Sequence, residues 1–259
     1  METLEIEIND GIGALVLNRP AKLNAMNAAF FTELPRAIEI LEADTAVRVI
    51  VIRANGPHFS AGLDLTDFAP GSQNIQSTND IRPLQLGFVA LATAQKPTLA
   101  AVNGYCIGGG LDLIAACDLR LATRSAIFSL REVRIGIVAD LGSLTLLSEV
   151  LPQSVLAEMA FTGRDVGAAE AHTIGLVHSI WDTTEDLDRA IMELGQQIQA
   201  NPPLAVQATK RLLAQRRTQG LAQHLELAAS YNVALMQSND MREALTAMKE
   251  RRPPNYHAN

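Results

Sequence analysis

The chain has 259 residues, of which 48% are hydrophobic, 19% charged and only 4% aromatic. That length can bury a sizeable core as one domain, and an apolar content drawn from Ala, Leu, Ile and Val suits buried parallel strands under helices. The net charge of −7 excludes nucleic acid as the main partner, although a local basic cluster could still hold a phosphorylated cofactor.

Two cysteines, Cys106 and Cys117, cannot make a disulfide framework in a chain of this size and point to a reducing compartment. The first twenty residues are acidic and alternating, unlike a signal or transit peptide. No apolar run approaches the roughly 20 residues of a membrane span, so no membrane partner is expected. The last residues, His257-Ala258-Asn259, are not a peroxisomal address of the SKL kind. Cytoplasm is the expected compartment.

In chain order, alternation over 3–8, a turn at Asn9-Asp10-Gly11 and a second strand over 13–17 predict a hairpin. Positions 27–43 carry helical periodicity, which Pro35 is expected to kink. The β-branched run 47–54 reads as a buried strand, and the Gly, Pro and polar residues of 69–79 read as a mobile loop. A helix at 80–95 leads to a buried strand at 98–102. The Gly-rich turn NGYCIGGG then opens an apolar helix. Strand-like pieces follow near 119–122 and 126–130, then a helix over about 140–149. Beyond 153 the pattern is helical apart from a short strand at 176–180. Pro202-Pro203 starts one helix, and an Ala/Leu-rich pair runs from 204 to 250. The expected architecture is an α/β core with a C-terminal helical extension.

Two segments are suited to presenting bare backbone N–H groups: FSAGLDL at 59–65, after a buried strand, and IGGGLDL at 107–113, at a helix start. Small residues let a ligand oxygen approach the main chain, and a helix N-terminus adds partial positive charge. Two such donors on one carbonyl oxygen make an oxyanion hole. The same glycines could equally serve only to turn the chain. A dinucleotide site is poorly supported, because Gly108-Gly109-Gly110 lacks the G-x-G-x-x-G spacing.

Asp112 falls on the first turn of the helix after the glycines, and Glu132 and Asp140 flank the RIGIV segment. Acids buried close together raise at least one pKa, which suits proton transfer. With 28 acids in 259 residues, about one position in nine is acidic, so spacing alone leaves a surface role open. Ser60 and Ser143 lack a G-x-S-x-G setting, and His58, His172, His178 and His224 lack metal-ligand spacing. Cys106 has no basic neighbour to activate it.

Together these strings resemble the crotonase (enoyl-CoA hydratase/isomerase) superfamily over nearly the whole chain. The resemblance is carried by NRPAKLNAMN (18–27), FSAGLDL (59–65), NGYCIGGGLDLIAACDLRLAT (103–123), REVRIGIVADLGS (131–143) and AFTGRDVGAAEAHTIGLV (160–177). It implies a ClpP/crotonase-like spiral core of ββα units with an acyl-CoA site over 1–200. Residues 201–259 would be a helical region that assembles trimers, or hexamers as dimers of trimers. The amides of Ala61 and Gly109 would form the oxyanion hole. Lys22, Leu23 and Ala25, with Ser60, Ala61, Gly62, Leu63, Asp64, Leu65 and Gly109, would bind the coenzyme A thioester.

Hydratases of the superfamily carry Glu at both positions matching 112 and 132, and Gly where Asp140 stands here. The pattern Asp112, Glu132, Asp140 is similar to that of the Δ3,5-Δ2,4-dienoyl-CoA isomerases, as are CIGGGLDL, EVRIGIVADLGS and PLAVQATKRLL (203–213). The resemblance implies that a proton leaves C2 of a 3,5-dienoyl-CoA and another reaches C6, with Glu132 and Asp140 as the proton-transfer groups and Asp112 in support. That chemistry needs no metal and no separate cofactor, since coenzyme A belongs to the substrate. The alternatives are an enoyl-CoA hydratase that positions water with Asp112 and Glu132, or a non-catalytic acyl-CoA-binding homologue.

Overall fold

The computed structural model describes residues 1–67, 78–215 and 238–257. The chain opens with β1 (Leu4–Asn9) and β2 (Ile12–Leu17), an antiparallel pair in which Asn9 faces Ile12. Only Asp10 and Gly11 separate them, and both have positive φ (45° and 77°). This is the mirror-image turn whose twist matches that of the flanking strands, and Asp-Gly is among its preferred pairs.

β2 continues into a parallel array of β3 (Val49–Ala54), β4 (Thr98–Val102), β6 (Leu119–Thr123) and β9 (Ser179–Trp181), giving the sheet order β1-β2-β3-β4-β6-β9. Side chains of a strand alternate between faces, and both faces here are covered, so the strands read as unbroken apolar runs. Val49, Val51, Leu99, Ala101 and Leu121 pack with Leu187 and Ile191 of α7 (Thr184–Gln199). Their neighbours Ile50, Ile52, Ala100, Val102 and Ala122 face the larger core with Phe31, Leu34 and Ile38 of α1 (Ala28–Ala43).

Asn27 caps α1 by accepting the Phe30 N–H at 3.1 Å, and Pro35 lies within a helix that runs unbroken around it. α2 (Thr78–Ala92) packs along α1, with Phe88 1% exposed. It begins at Thr78, inside the stretch expected to be loop, while the rest of that stretch lies outside the described residues.

A second, three-stranded sheet contains β5 (Tyr105–Ile107), β7 (Ile127–Ser129) and β8 (Val166–Gly167). The segment expected as a bare glycine turn therefore holds a strand before α3 (Gly109–Ala115). Successive strands divide between the sheets: β4 and β6 join the large one, while β5 and β7 join the small one. The helix expected over 140–149 is only the short α4 (Ser143–Leu147). α5 (Gln153–Thr162) and α6 (Ala168–Thr173) follow.

Past α7 come α8 (Pro203–Gln215) and α9 (Asn239–Glu250). They confirm the ends of the helical pair expected over 204–250, and its middle lies outside the described residues. Among the described residues no helix is long and apolar enough to cross a membrane.

Candidate active site

The two glycine-bearing bends lie side by side. Phe59 and Ser60 donate their main-chain N–H groups to Asn103 and Tyr105, and Ile107 donates to Ser60, at 2.7–3.0 Å. The approach leaves no room for side chains at key points. A Cβ on Gly62, where φ is +89°, would sit 2.8 Å from the Ile107 carbonyl oxygen and 3.4 Å from the Gly109 nitrogen. Gly108 has φ 52° and ψ −120°, a region closed to other residues, and this sets the angle at which α3 begins.

The fate of each amide decides which can bind a ligand. Ser60 donates to Tyr105, Ala61 to the Leu23 carbonyl at 2.9 Å, Gly62 to Ser60 Oγ at 3.0 Å and Asp64 to Met26 at 2.9 Å. Between Ser60 and Asp64, Leu63 alone donates to no acceptor among the described residues. In the other bend Gly108 donates to Ser129, while Gly109, the first residue of α3, donates to none. The expectation that Ala61 supplies an oxyanion donor is thus corrected. Its N–H is spent on Leu23, and the free amide is two residues on, at Leu63.

A cavity of about 570 Å³ opens over these bends. Ala61, Gly62, Leu63, Leu65 and Gly109 line it, together with all three acids Asp112, Glu132 and Asp140. The remaining residues expected to touch the thioester lie elsewhere. Ser60 is fully buried, with its hydroxyl donating to the Asn24 carbonyl and accepting from Gly62. Asp64 is buried and paired with Arg19 at 3.0 Å; bonds from Thr66 and Arg19 hold its carboxyl below the usual range. Both brace the bend from behind. Lys22 and Leu23 are exposed on the strip that carries the Leu23 carbonyl, and Ala25 is half-buried beside them, outside the cavity lining.

Asp112 is 1% exposed, and one of its oxygens accepts the Ser143 N–H at 2.7 Å. Burial pushes its carboxyl up to about 6, against the pull of Ser143 and aided by the charge of Asp140. Glu132 begins a 3-10 turn (Glu132–Ile135) that Gly136 closes in the left-handed conformation. Its carboxyl hangs over the second bend, with Oε1 3.1 Å from the point a Cβ on Gly108 would occupy. Its Oε2 is buried without a hydrogen-bond partner among the described residues. Burial, then the charges of Asp112 and Asp140, push Glu132 up to about 7. Asp140 keeps solvent access in the cavity wall, and partial desolvation raises it as well.

The charges of these carboxyls oppose one another's ionisation, an environment in which a proton donor and a proton acceptor can coexist near neutral pH. Most of the remaining lining is aliphatic, with Met26, Ile81, Leu84, Ile137 and Val138 among it. The site therefore pairs two unspent amides with acids along an apolar channel, an arrangement suited to holding a carbonyl oxygen while protons move on an attached hydrocarbon.

Leu63 is expected among the thioester-binding residues but not as the oxyanion donor, and no sequence signal marks the aliphatic lining. Among the described residues there is no cluster of three side chains able to hold a metal.

The sequence profile described as "Enoyl-CoA hydratase/isomerase" matches residues 7–259. The chain is 35% identical to the peroxisomal Delta(3,5)-Delta(2,4)-dienoyl-CoA isomerase of Arabidopsis thaliana, covering 98% of this chain and 97% of that one. It is 34% identical to the mitochondrial Delta(3,5)-Delta(2,4)-dienoyl-CoA isomerase of Dictyostelium discoideum, covering 99% and 92%. A solved enoyl-CoA hydratase from Mycobacterium tuberculosis H37Rv superposes with a TM-score of 0.89 at 33% identity, covering 99% of both chains. The peroxisomal and mitochondrial relatives overturn the expectation of a cytoplasmic location, which rested only on the absence of a recognisable address. The expected spiral α/β fold is borne out, and the chain belongs to the enoyl-CoA hydratase/isomerase (crotonase) family of enzymes.

Proposed function

We propose that the enzyme converts 3,5-dienoyl-CoA to 2,4-dienoyl-CoA. The observation that carries this reading is the third acid. Asp140 lines the same cavity as Asp112 and Glu132, which adds a carboxyl to the pair that positions water in a hydratase. The Leu63 and Gly109 amides hold the thioester oxygen and stabilise the charge that spreads over the chain when a proton leaves C2. Glu132 and Asp140 exchange the protons at C2 and C6, since one acid does not easily reach both ends of a diene. Asp112, fixed by Ser143, supports them through its charge. The proton shift leaves the oxidation state of the substrate unchanged, so it calls for no redox group and no metal.

The strip at Lys22, Leu23 and Ala25 is the proposed seat of the adenine and phosphate end of coenzyme A. Residues 201–259 are proposed to assemble trimers or dimers of trimers. Apolar side chains left open, among them Phe161 at 81% and Leu213 at 57%, support an assembly. Incubation with 3,5-dienoyl-CoA should build the absorbance of a conjugated 2,4-diene. Rapid hydration of 2-enoyl-CoA without that absorbance would establish the hydratase instead, and binding without turnover of either would establish a non-catalytic acyl-CoA carrier.

A further inference from the structure

Asp140 sits on a stretch with little main-chain support. Among the described residues, 138–141 form no hydrogen bond between main-chain groups. The bond that reaches this stretch comes from Gln85, whose side-chain Nε2 donates to the Asp140 carbonyl at 2.7 Å across 55 residues of sequence. Gln85 is half-buried on α2, and α2 is a firm base. Gly87 lies so close over α1 that a Cβ would stand 2.6 Å from the Leu34 side chain, and Phe88 is in the core. One turn before Gln85 on the same face, Ile81 lines the cavity, as does Leu84. One helix face therefore touches both the apolar channel and the acid-bearing loop.

We propose that Gln85 is a positioning residue that holds Asp140 over the distal part of the acyl channel. Through it, α2 ties contact with the acyl tail to placement of the distal acid. This rests on the isomerase reading for its consequence in catalysis, though not for the anchoring itself. An amide donor at this point leaves the carboxyl free and fixes only the backbone that carries it. Misplacement of a reacting group by about 1 Å costs on the order of a hundredfold in rate.

The test is a cycle of Gln85→Leu, Asp140→Asn and the double variant, read by isomerisation kinetics and by crystal structures of wild type and Q85L compared over 138–141. Q85L should lower kcat by about ten- to a hundredfold with KM changed less than about twofold. In the D140N background the same substitution should cost nothing more, because the group it positions is already gone. The backbone of 138–141 should shift, or its B-factors rise relative to α3, in Q85L. An undiminished Q85L loss in the D140N background, or an unchanged 138–141 backbone, overturns the proposal. If the wild-type protein forms no conjugated diene, the isomerase reading fails and the structural comparison still decides the anchor. Should Q85L fail to fold, Gln85→Met keeps an unbranched chain of similar length without the donor and serves in its place.

Discussion

The wall that carries the Leu63 and Gly109 amides and the wall that carries Glu132 and Asp140 are built by different means. In the first, the main chain at Ser60, Ala61, Gly62, Asp64 and Gly108 is hydrogen-bonded, while the Leu63 and Gly109 amides stay unspent among the described residues. In the second, a 3-10 turn is followed by a stretch without main-chain bonds, and its chemistry resides in side chains. On the proposed function, the amide wall would serve any thioester that forms an enolate, and the acid wall would set where protons are exchanged and hence which reaction follows.

The largest expected effects lie on the acid wall. Glu132→Gln and Asp140→Asn should each lower isomerisation by about 10²–10⁴ while acyl-CoA binding, read by calorimetry, stays intact. If D140N reduced any residual hydration as much as isomerisation, the division between the walls would fail. Next comes the amide wall. Replacing the Leu63 peptide N–H with an ester oxygen should cost about 10²–10³ in kcat. The same replacement at Ala61 removes a bond to Leu23 and should appear chiefly as a loss of stability of about 1 kcal/mol in thermal unfolding. The reverse ranking would restore Ala61 as the oxyanion donor.

The pH dependence sharpens the contrast further. The proposed mechanism has one proton shared between Glu132 and Asp140, and burial pushes Glu132 up to about 7. The kcat/KM profile should therefore fall as pH rises past about 7 and fall again in acid as the partner takes up a proton, with limbs that belong to the coupled pair. A flat profile from pH 5 to 9 (about four units around the optimum) would remove the proton-sharing pair.

The smallest effect concerns stability. Burial raises Asp112 to about 6 and Glu132 to about 7, so the native state binds protons more tightly than the unfolded chain. Their contribution is fully present below the ordinary carboxylate range near about 4 and is lost as pH climbs through these raised values. Asp112→Asn and Glu132→Gln, which never ionise, should each stabilise the protein by about 1–3 kcal/mol at high pH relative to wild type. That advantage should vanish in acid. Denaturant unfolding at pH 4 and pH 8 (roughly either side of the transition) checks the sign.

Much of the frame was legible in the residues themselves. Asp10-Gly11 between alternating runs specified the hairpin, and the runs now seen in β3 and β4 specified strands buried on both faces. Asp112 was placed on the first turn of α3 because glycines followed by an apolar period mark a helix start. Strands of two or three residues such as β5 and β8 escaped notice, because a period of two needs more residues to show itself.

By itself the sequence determined the residue types that this chemistry uses: glycines that admit close backbone approach, three acids, and enough aliphatic residues to make a dry channel. The tertiary structure alone decided which amide is spare and what steadies the acid loop. Neighbouring N–H groups at Ala61 and Leu63 are alike in sequence, and only the strip from Leu23 to Met26 laid beside them consumes one and spares the other. Likewise nothing local links Gln85 to Asp140. A hydrogen bond between distant segments exists only once the folded core has set their separation.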